Sequence, residues 1–121
     1  MAAPRVLVFA YSDVGHSCLK LLLERGCAVV GVLTHKDNPR EAQWFPSVAE
    51  LAAAHGVPVY KPERISRAEH ERLLHEELRP DVIFSFYYRN MLPVWLLESA
   101  PLGAFNLHGS YLPKYRGRAP V

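Results

Sequence analysis

The sequence predicts an α/β fold built on a doubly wound parallel sheet. Short continuous apolar runs recur along the chain, helix-start signals stand between them, and Gly or Pro closes most of the helical stretches. Runs that are apolar at every position suit strands covered on both faces, as in a parallel sheet flanked by helices. Strands separated by helical crossovers then imply right-handed connections and a layered sheet.

Val6 to Ala10 is the first such run, and Ser12 or Asp13 stands where it can cap a helix running to about Arg25, where Gly26 stops it. Ala28 to Leu33 is a second strand, rich in β-branched residues, and the polar turn His35-Lys36-Asp37-Asn38-Pro39 follows it. The chain then loops through Trp44 and Phe45. Ser47-Val48-Ala49-Glu50 and Ser66-Arg67-Ala68-Glu69 both have capping-box spacing, in which hydroxyl and carboxylate satisfy backbone donors at a helix start. The first of these helices is predicted to end near His55-Gly56, leading to a short strand from Val57 to Tyr60. The second carries Leu73, Leu74 and Leu78 inward until Pro80 ends it. Asp81 to Phe86 is a strand, Pro93 opens a short helix through Leu97, and Gly103 to His108 is the last strand. The alternation βαβαβαβαβ is Rossmann-like.

At 121 residues, half of them hydrophobic, the chain has enough material for one modest core and no room for two domains. A net charge of +2 and a pI near 8.6 are too mild to predict a nucleic-acid partner. Cys18 and Cys27 sit in apolar segments without C-x-x-C spacing, so reduced thiols are expected. No stretch has the length of a signal h-region or a membrane span, which predicts a cytoplasmic protein without a membrane partner. His70 and His75 are splayed by their spacing and no H-e-x-x-H pattern occurs, so no metal is expected. The first loop lacks G-x-G-x-x-G and no P-loop is present, so this segment is expected to bind neither NAD nor a nucleoside triphosphate.

In a doubly wound sheet, ligands bind beyond the carboxyl ends of the strands where strand order reverses. That rule selects Tyr11 to Gly15, Tyr87 to Leu92 and Gly109 to Arg118. Asn106 and His108 stand two apart at a strand's carboxyl end, so they would share one face while Phe105 and Leu107 take the other. An amide that can hold an oxyanion beside an imidazole that can move a proton suits attack of a nucleophile on a carbonyl. Asp13 and Asp81 are the carboxylates available to orient His108, by position only. Phe84 and Phe86 read as core, whereas Asn90, Met91 and Leu92, past the strand end, offer backbone and apolar surface to a flat heteroaromatic ring. Lys114, Arg116 and Arg118 suit an anionic ligand, with Lys114 the most readily explained as solvated.

These segments resemble the amino-terminal part of the 10-formyltetrahydrofolate-dependent formyltransferases, with which the chain shares Asn-x-His and the loop after it. Val8-Phe9-Ala10-Tyr11, Thr34-His35-x-Asp37-Asn38-Pro39, Asp81 through Arg89 and Asn106-Leu107-His108-Gly109-Ser110 are most similar to the branch that formylates UDP-4-amino-4-deoxy-L-arabinose in lipid A modification. The resemblance implies that His108 moves the proton and Asn106 stabilises the oxyanion as a sugar amine attacks the formyl carbon. It implies that Asn90, Met91 and Leu92 hold the folate ring and that Arg118, within Arg-Gly-Arg-Ala-Pro, binds the donor. The expected co-substrate is 10-formyltetrahydrofolate and the expected partner a small nucleotide sugar.

Tyr111 departs from the family's usual Leu, and the family's catalytic aspartate would fall past Val121. Residues 1–121 are therefore expected to be the amino-terminal part of a formyltransferase domain, incomplete at the carboxyl end and nearly inactive alone. A sheet cut short leaves an unpaired edge, which is expected to favour self-association of such a fragment, and a homo-oligomer of the full-length protein is a separate expectation. The alternatives are formylation of another nucleotide amino sugar or of methionyl-tRNA, or a non-catalytic folate-binding or assembly module. Gly109 and the low net charge argue against the tRNA branch.

Overall fold

A computed structural model of the chain describes residues 3–36, 40 and 46–107. Five parallel strands form one sheet in the order β3-β2-β1-β4-β5: β1 (Arg5–Ala10), β2 (Ala28–Leu33), β3 (Val59–Tyr60), β4 (Val82–Phe86) and β5 (Ala104–Leu107). Strand order runs one way from β1 through β3 and the other way from β4 to β5. The reversal therefore falls between β1 and β4, as a doubly wound sheet requires.

Alternate residues of the strands feed two cores. Val6, Val8, Ala10, Val32 and Val82 pack beneath α1 (Ser12–Glu24) and α2 (Val48–Ala54), with Leu19, Val48 and Ala52 filling that layer. Leu7, Phe9, Leu33 and Ile83 face the opposite layer, where Leu74 and Leu78 come from the stretch that continues α3 (Arg67–Glu71), Leu92 from the segment after β4, and Leu96 from α4 (Val94–Leu97). The central strands β1 and β4 are covered on both faces, which is why their sequences show no polar alternation.

The expected caps form at Ser47 and Ser66, whose hydroxyls accept from Glu50 N and Glu69 N, each at 3.2 Å. The box at Ser66 is rearranged. The Ser66 hydroxyl donates to Glu69 Oε1, and its backbone N–H goes to His70 Nδ1 at 3.0 Å. Gly26 and Gly56 take positive φ just past α1 and α2, the left-handed stop that a residue with a Cβ resists.

Three local expectations are corrected. Neither Ser12 nor Asp13 caps α1 with its side chain: Tyr11 holds the cap position, Ser12 has φ 69°, and its buried hydroxyl finds no partner among the described residues. The strand predicted from Val57 begins at Val59, because Val57 N closes α2 on Ala52 O and Pro58 has no N–H to give a ladder. The helix before Pro80 widens into a π-helical stretch from Arg72 to Glu77, where Leu78 N reaches Leu73 O at 2.8 Å.

Candidate functional site

The crevice is set by the ends of β1 and β4. Tyr11 N donates to Phe86 O at 3.0 Å and Tyr87 N to Leu107 O at 2.8 Å, so the sheet's hydrogen bonding continues one residue past each strand. The chain then turns sharply on both sides of the reversal. Ser12 and Tyr87 have φ of 69° and 60°, a left-handed backbone that costs a side-chain-bearing residue energy. α1 lies tight against this end of the sheet: a Cβ built on Gly15 would stand 3.0 Å from Phe86 O.

Asn106 pairs in register with Ser85, Ser85 with Phe9, Phe9 with Leu33, and Leu33 with Tyr60, giving one transverse row across the whole sheet. Phe9, Leu33 and Tyr60 belong to the core under α4, so Asn106 projects into that layer and is exposed. Phe105 and Leu107 take the opposite face, each nearly half exposed, and Phe105 contacts Phe84 with ring centroids 5.8 Å apart. Phe84 and Phe86 pack against the other core, as expected.

Asn90, Met91 and Leu92 lie in the segment that leaves β4 on the same side as Asn106. Asn90 turns its amide to Glu63 O at 2.9 Å, Met91 is 94% exposed, and the Leu92 side chain is buried in the core. His108 and Arg118, with Lys114 and Arg116, lie outside the described residues. Asp13 accepts from Val14 N, and Asp81 binds Arg5 N at the opposite end of the sheet.

Sequence reasoning missed the group that ties this segment down. His35, from the end of β2, stacks on Tyr88 with centroids 4.3 Å apart and planes 12° from parallel, and meets Tyr11 edge-on at 5.1 Å. Its Nε2 accepts from Arg89 N at 2.9 Å, while the Arg89 guanidinium sits 4.6 Å from the Tyr11 centroid. Burial, and then the Arg89 charge, hold the His35 pKa below its ordinary value. Burial pushes the Tyr88 phenol up, an effect that the Asn90 side chain partly offsets. Among the described residues, the Tyr88 hydroxyl nevertheless has no well-formed hydrogen bond, and Thr34 Oγ1 beside His35 has none either. The sequence signals for His35 were its place just past a strand's carboxyl end and its membership of the Thr34-His35-x-Asp37-Asn38-Pro39 segment, and neither assigned it a role.

Among the described residues, no His, Cys, Asp or Glu cluster could hold a metal ion, and no helix is long and apolar enough to cross a membrane. What the arrangement offers is an exposed carboxamide, a segment on the same side of the sheet that carries the exposed Met91 side chain, and an aromatic wall.

Residues 5–121 match the family described as formyl transferase. Among solved structures, glycinamide ribonucleotide transformylase 1 from Geobacillus kaustophilus is similar, with 24% identity and a TM-score of 0.64 over 98% of this chain and 65% of that one. A formyltetrahydrofolate deformylase from Pseudomonas putida KT2440 is similar at 23% identity and a TM-score of 0.61, over 98% of this chain and 42% of that one. The chain thus spans 65% and 42% of the length of these two structures, which share its fold.

Proposed function

The chain belongs to the formyl transferase family, and from that premise we propose that it carries the donor site and part of the catalytic machinery for formyl transfer from 10-formyltetrahydrofolate to the 4-amino group of UDP-4-amino-4-deoxy-L-arabinose. The observation that carries the reading is the row through Ser85 and Asn106, which puts an exposed carboxamide on the same side of the sheet as the segment Asn90 to Leu92.

The residues fit a pterin-like ring. Main chain and the exposed Met91 side chain supply a flat, partly polar contact, and Leu92, seated in the core, fixes the path of the backbone. Asn106 N–H groups would donate to the carbonyl oxygen as it gains charge, a role that is effective because the donor is fixed before the reaction begins. His108 would take the proton from the attacking amine, and Arg118 would hold an anionic part of the donor. The choice of a nucleotide amino sugar as acceptor rests on the resemblance of the Thr34 to Pro39 and Asp81 to Arg89 segments to that branch of the family.

The test is an acceptor panel. The full-length gene product is incubated with 10-formyltetrahydrofolate and, separately, UDP-4-amino-4-deoxy-L-arabinose, other nucleotide amino sugars and methionyl-tRNA, following tetrahydrofolate release. Highest kcat/KM with the arabinose derivative supports the reading. Turnover confined to another acceptor replaces the substrate, and folate binding without turnover of any acceptor favours a non-catalytic module.

A further inference from the structure

The segment leaving β4 is fastened at two successive residues by two different loops. Arg89 N donates to His35 Nε2 at 2.9 Å, and Asn90 Nδ2 donates to Glu63 O at 2.9 Å. His35 is itself clamped between Tyr88, on which it lies flat, and Tyr11, which it meets edge-on.

We propose that His35 is a positioning residue: by accepting the Arg89 amide through Nε2, it presets the main chain of Arg89 to Leu92 for the flat ring of the folate donor. The proposal rests on the reading that Asn90 to Leu92 hold the donor. The stack on Tyr88 alone would call for any aromatic ring at this position. The hydrogen bond calls for an acceptor at one place on that ring, and an imidazole supplies it only while Nε2 keeps its lone pair.

The surroundings favour that state. Among the described residues, the groups facing His35 are Tyr11 from the end of β1 and Tyr88 and Arg89 from the end of β4, with Lys36 next along the chain, and no carboxylate pairs with it. Burial and the Arg89 charge both disfavour the imidazolium. Pre-ordering a loop in its bound path raises affinity by removing the cost of ordering it on binding.

Two variants of the full-length protein separate the hydrogen bond from the stack. His35→Phe keeps an aromatic ring and deletes the acceptor; His35→Gln restores an acceptor near Nε2 without the ring. Affinity for 5-formyltetrahydrofolate, a stable donor analogue, is measured by calorimetry, and donor KM, acceptor KM and kcat by steady-state assay. His35→Phe is expected to weaken binding and raise donor KM about tenfold, with acceptor KM and kcat within about twofold, and His35→Gln to recover most of the loss. Donor KM of the unmodified protein is expected to rise as pH falls through the lowered His35 pKa, and that of His35→Phe to stay flat. Unchanged donor affinity in His35→Phe, or equal loss in both variants, overturns the positioning role while leaving the donor site standing. No folate binding by the unmodified protein overturns the donor reading, and this proposal with it.

Discussion

Asn106 and Ser85 are register partners on the β4–β5 ladder, and through Ser85 the row continues to Phe9, whose ring meets Tyr88 edge-on at 5.2 Å. The carboxamide is thus held by the sheet itself, on the layer where Tyr88 and the segment after it lie. If it stabilises the developing oxyanion, Asn106→Ala lowers kcat of the full-length protein by roughly 10²–10³ and leaves donor KM nearly unchanged. Asn106→Asp does not rescue, because a carboxylate repels the charge it would face. Steady-state kinetics on both variants check this.

Gly15 and Gly31 predict different costs for the same substitution. A Cβ on Gly15 meets backbone, Phe86 O at 3.0 Å and Ala10 C at 3.3 Å, so α1 or β4 must move. A Cβ on Gly31 meets the end of a flexible side chain, Leu78 Cδ1 at 2.9 Å, which can rotate. Gly15→Ala is expected to destabilise by about 1–3 kcal/mol and Gly31→Ala by less. Chemical denaturation orders the two.

Arg5 closes the end of the sheet opposite the crevice. Its backbone N–H donates to Asp81 Oδ2 at 2.7 Å, and its guanidinium donates to Leu78 O at 2.8 and 2.9 Å, covering the last carbonyls before Pro80. Asp81→Ala is expected to cost about 1–2 kcal/mol and lower Tm by several degrees. Asp81→Asn, which keeps an acceptor, costs less. Since both residues lie away from the candidate site, donor affinity stays unchanged in either variant.

His35 also links stability to pH. Its folded pKa lies below the ordinary 6.5, so between the two values the unfolded chain binds the proton more readily. Its contribution is therefore complete above about pH 6.5 and is lost as pH falls through the folded pKa. His16, lowered by burial and then by Lys20, acts in the same direction. His35→Gln is expected to flatten the acid limb of the stability curve in part, leaving the share due to His16, as read by denaturant melts from pH 7.5 to 5.

The order of elements was legible because apolar runs, caps and helix stops are local signals. The correct positions of Ser47, Ser66, Gly26 and Gly56 all follow from residues within one or two turns. What was not legible is set by tertiary packing. Leu73 and Leu78 share a π-helical turn that no spacing rule anticipates, and the left-handed turn at Ser12 overrides a good cap sequence. The positions of Asn106 at the end of β5 and of Asn90, Met91 and Leu92 past the end of β4 could be read from the sequence, since the order of the strands fixes their ends. The role of His35 could not, because its partner Arg89 is 54 residues away and the Thr34 to Pro39 segment that contains the histidine says nothing of that contact.

The central claim is tested most directly by following a labelled carbon. The full-length gene product is mixed with 10-[¹³C]formyltetrahydrofolate and UDP-4-amino-4-deoxy-L-arabinose, and the sugar nucleotide is weighed by mass spectrometry. The account predicts a ¹³C-formamido product that is nearly abolished by Asn106→Ala. A folded protein that binds the donor yet leaves the sugar unlabelled, or an Asn106→Ala variant that labels it at the unmodified rate, would contradict it.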